Sequence, residues 1–166
     1  MKYLVLMLLT IGLTCPDALA AAQPKILSGD VLDAKGKRFD AAAWQQADYR
    51  ILYFSAHWCP PCRTFTPKFV EWYQDKAKQL GAEVLLVSSD KNVDKMQEYL
   101  AWGNMPWGGI WKGSKTGQHL SQYAGKGIPC VVVFNKQGVV IAHSYDDNGQ
   151  YQGPAKPLQD LEAMAQ

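Results

Sequence analysis

Two thiols three positions apart, in Trp58-Cys59-Pro60-Pro61-Cys62, are the side chains of this sequence best suited to do chemistry. They follow the apolar run Ile51-Leu52-Tyr53-Phe54 and precede a helical pattern, so they fall where a strand ends and a helix opens. A helix N-terminus stabilises a thiolate, which is the form that attacks disulfides and binds metals. The arrangement points to a redox dithiol. A purely structural bridge is the weaker alternative, because closing so short a loop removes little chain entropy. Zinc would need two further ligands, and the sequence has no second CxxC and no CxxH. A second piece lies far along the chain, Gly127-Ile128-Pro129 ahead of the apolar run Val131 to Phe134.

The elements that must position these residues can be read from periodicity. Ile51 to Ser55 and Val84 to Val87 are continuous apolar runs, as expected of central strands covered on both faces. Phe65, Phe69, Tyr73, Ala77 and Leu80 recur at helical spacing behind the dithiol, with Gly81 as the stop and Pro67 as an expected kink. Pro60 and Pro61 suit the first helical turn, whose amides have no internal acceptor. Asn92 is placed to cap a helix carrying Val93, Met96 and Leu100, ended by Gly103. Residues 104–127 read as loop with a short helix near Leu120 to Tyr123. Val131–Phe134 and Val139–His143 flank the turn Asn135-Lys136-Gln137-Gly138, and Leu158 to Met164 closes the chain as a helix. Near the start, Asp33-Ala34-Lys35-Gly36 reads as a hairpin turn, and Asp40 as the cap of a short helix through Trp44. Strand–helix alternation followed by a hairpin gives an α/β fold, a central mixed sheet flanked by helices on both faces.

Residues 1–20 read as a cleaved signal peptide. Lys2 is a basic lead, Tyr3 to Leu13 an apolar stretch of eleven residues, and Ala18-Leu19-Ala20 a small-residue cleavage site. Cleavage near Ala20 would discard Cys15 and place the protein in the periplasm or outside the cell. Residues 21–49 form a lead-in and 50–166 the domain core, about 145 residues that suffice for one domain. The 48% hydrophobic content and six Trp exclude disorder, and a net charge of +2 argues against nucleic acid as a partner. Cys59, Cys62 and Cys130 would remain, which is not the even, spread-out set of a disulfide-stapled secreted domain.

The segments Tyr53-Phe54-Ser55-Ala56-His57-Trp58-Cys59-Pro60-Pro61-Cys62-Arg63, Phe65-Thr66-Pro67, Val87-Ser88-Ser89-Asp90, Met105-Pro106-Trp107 and Ile128-Pro129 occur in an order that carries a family resemblance. The chain resembles thioredoxin-fold oxidoreductases, and among them the tryparedoxin and nucleoredoxin branch, over roughly residues 50–142. The resemblance implies a thioredoxin-like fold, Cys59 as nucleophile, Cys62 as resolving thiol, and Pro129 as a cis-proline facing the pair. Tyr53 stands where thioredoxin proper has a buried acid, as an aromatic does in the tryparedoxin-like branch. Cys130 departs from the family pattern.

The expected activity is therefore exchange with protein disulfides, without a cofactor, in a monomer recharged by a thiol or membrane reductase donor. The competing reading is a non-catalytic metal-delivery or binding module of the same fold. Trp58, Pro60, Pro61, Ile128 and Pro129 are the expected supports of the site, Ile128 through backbone pairing with an extended substrate. His57, Arg63 and Cys130 are candidate modulators, Cys130 being read first as a small buried hydrophobe. Pro60 and Pro61 lack N–H groups, so the first helix donors near the sulfur are the amides of Cys62 and Arg63, a paucity that favours a reductant. Of Trp102, Trp107 and Trp111, most are expected in the core and one at a partner-facing surface. His119 and His143 read as surface or loop residues.

Overall fold

The computed structural model describes residues 29–165 together with Pro24 and Ile26. The signal-peptide reading of residues 1–20, with Cys15, and most of the start of the lead-in lie outside the described residues.

The elements follow in the order β1 (Val31–Leu32), α1 (Ala42–Gln46), β2 (Tyr49–Ser55), α2 (Pro60–Trp72), a π-helical turn (Tyr73–Ala77), α3 (Lys78–Leu80), β3 (Ala82–Ser88), α4 (Val93–Trp102), β4 (Gly109–Trp111), α5 (Lys115–Leu120), a 3₁₀ turn (Ser121–Tyr123), β5 (Cys130–Asn135), β6 (Val140–His143) and α6 (Lys156–Met164). The six strands form one sheet in the order β1-β4-β3-β2-β5-β6. β3 runs parallel to β2 and to β4, while β5, β6 and β1 pair antiparallel with their neighbours. This is the mixed sheet expected from the sequence.

Alternation along the strands divides the core in two. Ile51, Tyr53, Val84, Leu86, Val131 and Val133 pack with side chains of α2, α4 and α6 on one face. Leu52, Phe54, Leu85, Val87, Val132 and Phe134 pack with Trp44 of α1 and Leu120 of α5 on the other. Strands buried on both faces explain the unbroken apolar runs.

Local signals account for most boundaries. Asn92 accepts a hydrogen bond from the Lys95 amide at 3.0 Å and caps α4, and Gly81 ends α3 at φ +64°. Asp40 receives the Ala42 amide at 2.9 Å at the start of α1. Pro67 sits inside α2, yet α-helical structure persists to Trp72 and the irregularity comes later, as the π turn. Two features correct the expected loop of residues 104–127. Gly109–Trp111 is a strand, and the helix there begins earlier, at Lys115, where the Ser114 side chain receives the Gly117 amide at 3.0 Å. Both were hidden by glycine. A Cβ on Gly117 would lie 2.2 Å from the Trp111 carbonyl oxygen, so the helix tolerates no side chain at that position.

Two registers fix the site. Pairing of Phe54 with Cys130 puts Pro129 beside the exit of β2 that leads to the dithiol. Pairing of Val132 with His143 carries the residues after β6 back past the same place.

Candidate active site

Cys59 is the residue before α2, with extended backbone (φ −88°, ψ 110°), and Pro60 and Pro61 are the first two helical residues. Cys59 and Cys62 are disulfide-bonded, with Cα atoms 5.2 Å apart. Cys62 is fully buried and Cys59 retains 4% exposure, so Cys59 is the sulfur a substrate can reach. The Arg63 amide donates to the Cys59 carbonyl at 3.1 Å. It closes the first helical turn instead of facing the sulfur, which trims the expected donor set further.

The chain between β2 and α2 is held from below by Asp90. Its carboxylate, 5% exposed, receives the His57 amide at 3.0 and 3.3 Å and the Ser88 hydroxyl at 2.8 Å. The indole N–H of Trp111 donates to the Asp90 carbonyl at 2.9 Å. Trp58 is 64% exposed, and its indole N–H donates to the Ser89 carbonyl at 3.3 Å, which ties the ring to this support. An open groove of about 410 Å³ runs alongside, lined among others by Trp58, Arg63, Lys91 and Lys95. The His57 ring stacks on Tyr99, centroids 5.4 Å apart, with Trp102 at 5.3 Å. Of the three tryptophans expected mostly in the core, only Trp107 is buried there; Trp111 is half-buried and Trp102 is exposed.

Beneath Cys62 lies a chain of buried hydroxyls. Thr66 donates to the Cys62 carbonyl at 2.9 Å and contacts the hydroxyls of Tyr53 at 2.9 Å and Tyr99 at 2.6 Å; Tyr99 reaches Ser55 at 2.8 Å. Burial, with Tyr99 adding to it, holds the Tyr53 phenol well above its ordinary range. Tyr53 therefore stays protonated and serves as a donor, never as the base that a buried carboxylate would be.

Across from the dithiol, the Ile128–Pro129 peptide is cis and Pro129 is buried. The Ile128 carbonyl oxygen lies 3.8 Å from the Cys59 sulfur, and Ile128 packs against the buried cluster of Ala56, Cys59 and Cys62. Cys130, one residue on, is fully buried with Leu52, Phe54 and Val132 on the α1–α5 face and does not join the pair. Burial pushes its thiol up, partly countered by hydrogen bonds from Gly125 and Ser144. His119 is exposed on α5. His143 corrects the expectation of a surface histidine: it is half-buried on β6, receives the Tyr145 amide on Nδ1 at 3.0 Å, and so presents Nε2–H to the Tyr123 carbonyl at 3.0 Å.

Sequence reasoning quoted Asp90 within a motif without giving it a role, and it missed Tyr151. The Tyr151 hydroxyl donates to the Pro129 carbonyl at 2.8 Å. A carboxylate two positions ahead of the Asn92 cap was the available signal for Asp90. Nothing local marks Tyr151.

Comparisons with known proteins identify the family. A nucleoredoxin from Bos taurus is 33% identical over 121 residues, covering 70% of this chain and 27% of the relative, so the chain spans only about a quarter of that protein. A tryparedoxin from Trypanosoma brucei brucei is 47% identical over 57 residues, 34% of this chain and 38% of the relative. The crystal structure of a thioredoxin from Wuchereria bancrofti superposes with a TM-score of 0.62 at 30% identity, covering 81% of this chain and 92% of that one. A family model described as thioredoxin-like matches residues 47–140, over half of the sequence, and the chain belongs to the thioredoxin-like family of oxidoreductases.

Proposed function

We propose that this protein is an exported thiol–disulfide oxidoreductase that reduces or exchanges protein disulfides through Cys59 and Cys62. The observation that carries the proposal is the meeting of three features at one sulfur. Cys59 keeps access to solvent, Trp58 offers an exposed aromatic face beside it, and the Ile128 carbonyl lies 3.8 Å away on the other side. An extended polypeptide can lie along that backbone edge with its disulfide over Cys59.

In the reduced protein, the Cys59 thiolate attacks one substrate sulfur, the substrate S–S bond breaks, and one substrate thiolate leaves. Deprotonated Cys62 then attacks the Cys59 sulfur of the mixed disulfide. The second substrate thiolate leaves, and both electrons now reside on substrate while the protein holds the Cys59–Cys62 disulfide. A dithiol donor or membrane reductase returns two electrons and two protons to restart the cycle. With Tyr53 held protonated, the Cys62 proton passes to the departing substrate thiolate or to solvent.

Export is supported by Lys2, the apolar stretch Tyr3–Leu13 and Ala18-Leu19-Ala20, and would deliver the protein to the periplasm or outside the cell. N-terminal sequencing of the exported form should begin between Ala21 and Gln23. The activity is tested by insulin-disulfide turnover with dithiothreitol as donor. Cys59→Ser should abolish turnover, and Cys62→Ser should accumulate mixed disulfides. Equal trapping by both variants would overturn the assignment of Cys59 as nucleophile, and stoichiometric metal uptake without turnover would favour a metal-delivery module.

A further inference from the structure

We infer that Tyr151 is a positioning residue for polypeptide substrates, holding the Ile128–Pro129 wall of the site at its working distance from Cys59. This rests on the exchange reading above and extends it to residues beyond the family match, which ends at residue 140.

The segment from Ala124 to Pro129 has no regular structure and contains Gly125 and Gly127, so it has little stiffness of its own. Its position is set by the chain that follows β6. Tyr145 and Tyr151 form an isolated antiparallel bridge, with rings 5.0 Å apart. The turn between them is self-contained. Asp146 donates its amide to the Gln150 carbonyl at 2.9 Å, its carboxylate receives the amides of Asn148 and Gln150 at 3.0 and 2.8 Å, and Gly149 takes φ +74°.

Three side chains, one from the end of β6 and two from this hairpin, then hold the loop and the turn that precedes it. His143 donates to the Tyr123 carbonyl. The Tyr145 ring lies on Gly125 so closely that a Cβ there would come within 2.0 Å of it. Tyr151 donates to the Pro129 carbonyl at 2.8 Å. Tyr151 is 48% exposed, so its ring does not fill the core; the hydroxyl is the part of it that is committed. The carbonyl it holds is one residue from the Ile128 carbonyl beside Cys59.

A substrate that pairs with the Ile128 edge depends on this grip, whereas a small aromatic disulfide that meets only the Cys59 sulfur does not. The test compares wild type and Tyr151→Phe on insulin with dithiothreitol as donor and, as pre-reduced protein freed of dithiothreitol, in a single-turnover reaction with 5,5′-dithiobis(2-nitrobenzoic acid). Loss of one hydrogen bond should raise KM for insulin roughly three- to tenfold with kcat near wild type. The small disulfide should react at the wild-type rate. Gly125→Ala, which displaces Tyr145, should show the same selectivity more strongly. Equal losses on both disulfides, or none on insulin, would overturn the assignment while leaving the exchange reading intact. A wild-type protein inert towards both would overturn the exchange reading and this assignment with it.

Discussion

The two walls that face each other across Cys59 are built by different means. The Trp58 wall is contiguous in sequence: the end of β2, the dithiol and the first turn of α2 follow one another, braced by Asp90 at the end of the neighbouring strand. The Ile128–Pro129 wall is a glycine-bearing loop held by His143, Tyr145 and Tyr151, which arrive from beyond the next strand. The first wall sets the chemistry of the sulfur. On the function proposed above, the second sets how a partner is laid over it. One follows from a motif, and the other exists only once the chain has folded back.

If this division is right, the largest measurable consequence lies in the redox poise, which belongs to the first wall. With Pro60 and Pro61 lacking N–H groups and the Arg63 amide closed on Cys59, few dipoles remain to stabilise the thiolate. The pair should equilibrate with glutathione near ~−270 mV, away from the ~−120 mV of a strong oxidant, a gap of about 7 kcal/mol for two electrons. A potential at the oxidising end would show that helix donors do not govern this site. Tyr151→Phe should leave the potential unchanged, because it touches the other wall alone.

Asp90→Ala should give the next largest effect. It leaves the His57 amide and the Ser88 hydroxyl buried without their shared acceptor, and hydrogen bonds to a charged group contribute about 1.5–3 kcal/mol. Urea unfolding should shift by that amount. Unlike Tyr151→Phe, this variant should lose turnover on large and small disulfides alike. Selective loss on polypeptides would mean that the walls are not separable.

The contrast also explains what was legible in the sequence. Strands β2, β3 and β5 are buried on both faces, so their composition alone identified them. The dithiol announced itself through spacing and through the prolines of the first helical turn. Strand β4 did not, because three residues that begin with Gly109 give no periodicity, and the preceding glycine answers to tertiary contacts: a Cβ on Gly108 would strike Val31 and Phe39 at 2.6 and 2.7 Å. Asp90 and Tyr151 act through partners 33 and 22 positions away, a relation that no local pattern encodes. His57 lay next to the dithiol in sequence, yet its ring is committed to Tyr99. Proximity along the chain was a poor guide there.

Cys130 offers a smaller test of the same boundary. It adjoins Pro129 in sequence but packs on the opposite side of the sheet, with burial raising its thiol. Cys130→Ala should cost about 1 kcal/mol in stability through the small void it leaves, with turnover on both disulfides unchanged. In the folded, oxidised protein the Cys130 thiol should alkylate slowly, and peptide mapping after oxidation should find Cys59 joined to Cys62. A bridge between Cys59 and Cys130 would place this thiol inside the chemistry.

The smallest expected effect is an invariance. Burial, reinforced by Tyr145 and Cys130, raises the Tyr151 phenol to about 12. Only the protonated phenol donates to the Pro129 carbonyl, so the bond is intact below that value and would be lost as pH rises through it. Thiolate chemistry moves in the opposite sense and much lower: deprotonation of a nucleophile at a helix start, typically within ~3.5–7.5, increases the rate as pH rises. Across pH 6 to 9 the rate of the wild-type protein should therefore follow the thiolate alone. The ratio of wild type to Tyr151→Phe on insulin should stay flat over that range. A ratio that collapses near neutral pH would tie Tyr151 to the ionisation of Cys59, and the two walls would then be one electrostatic unit.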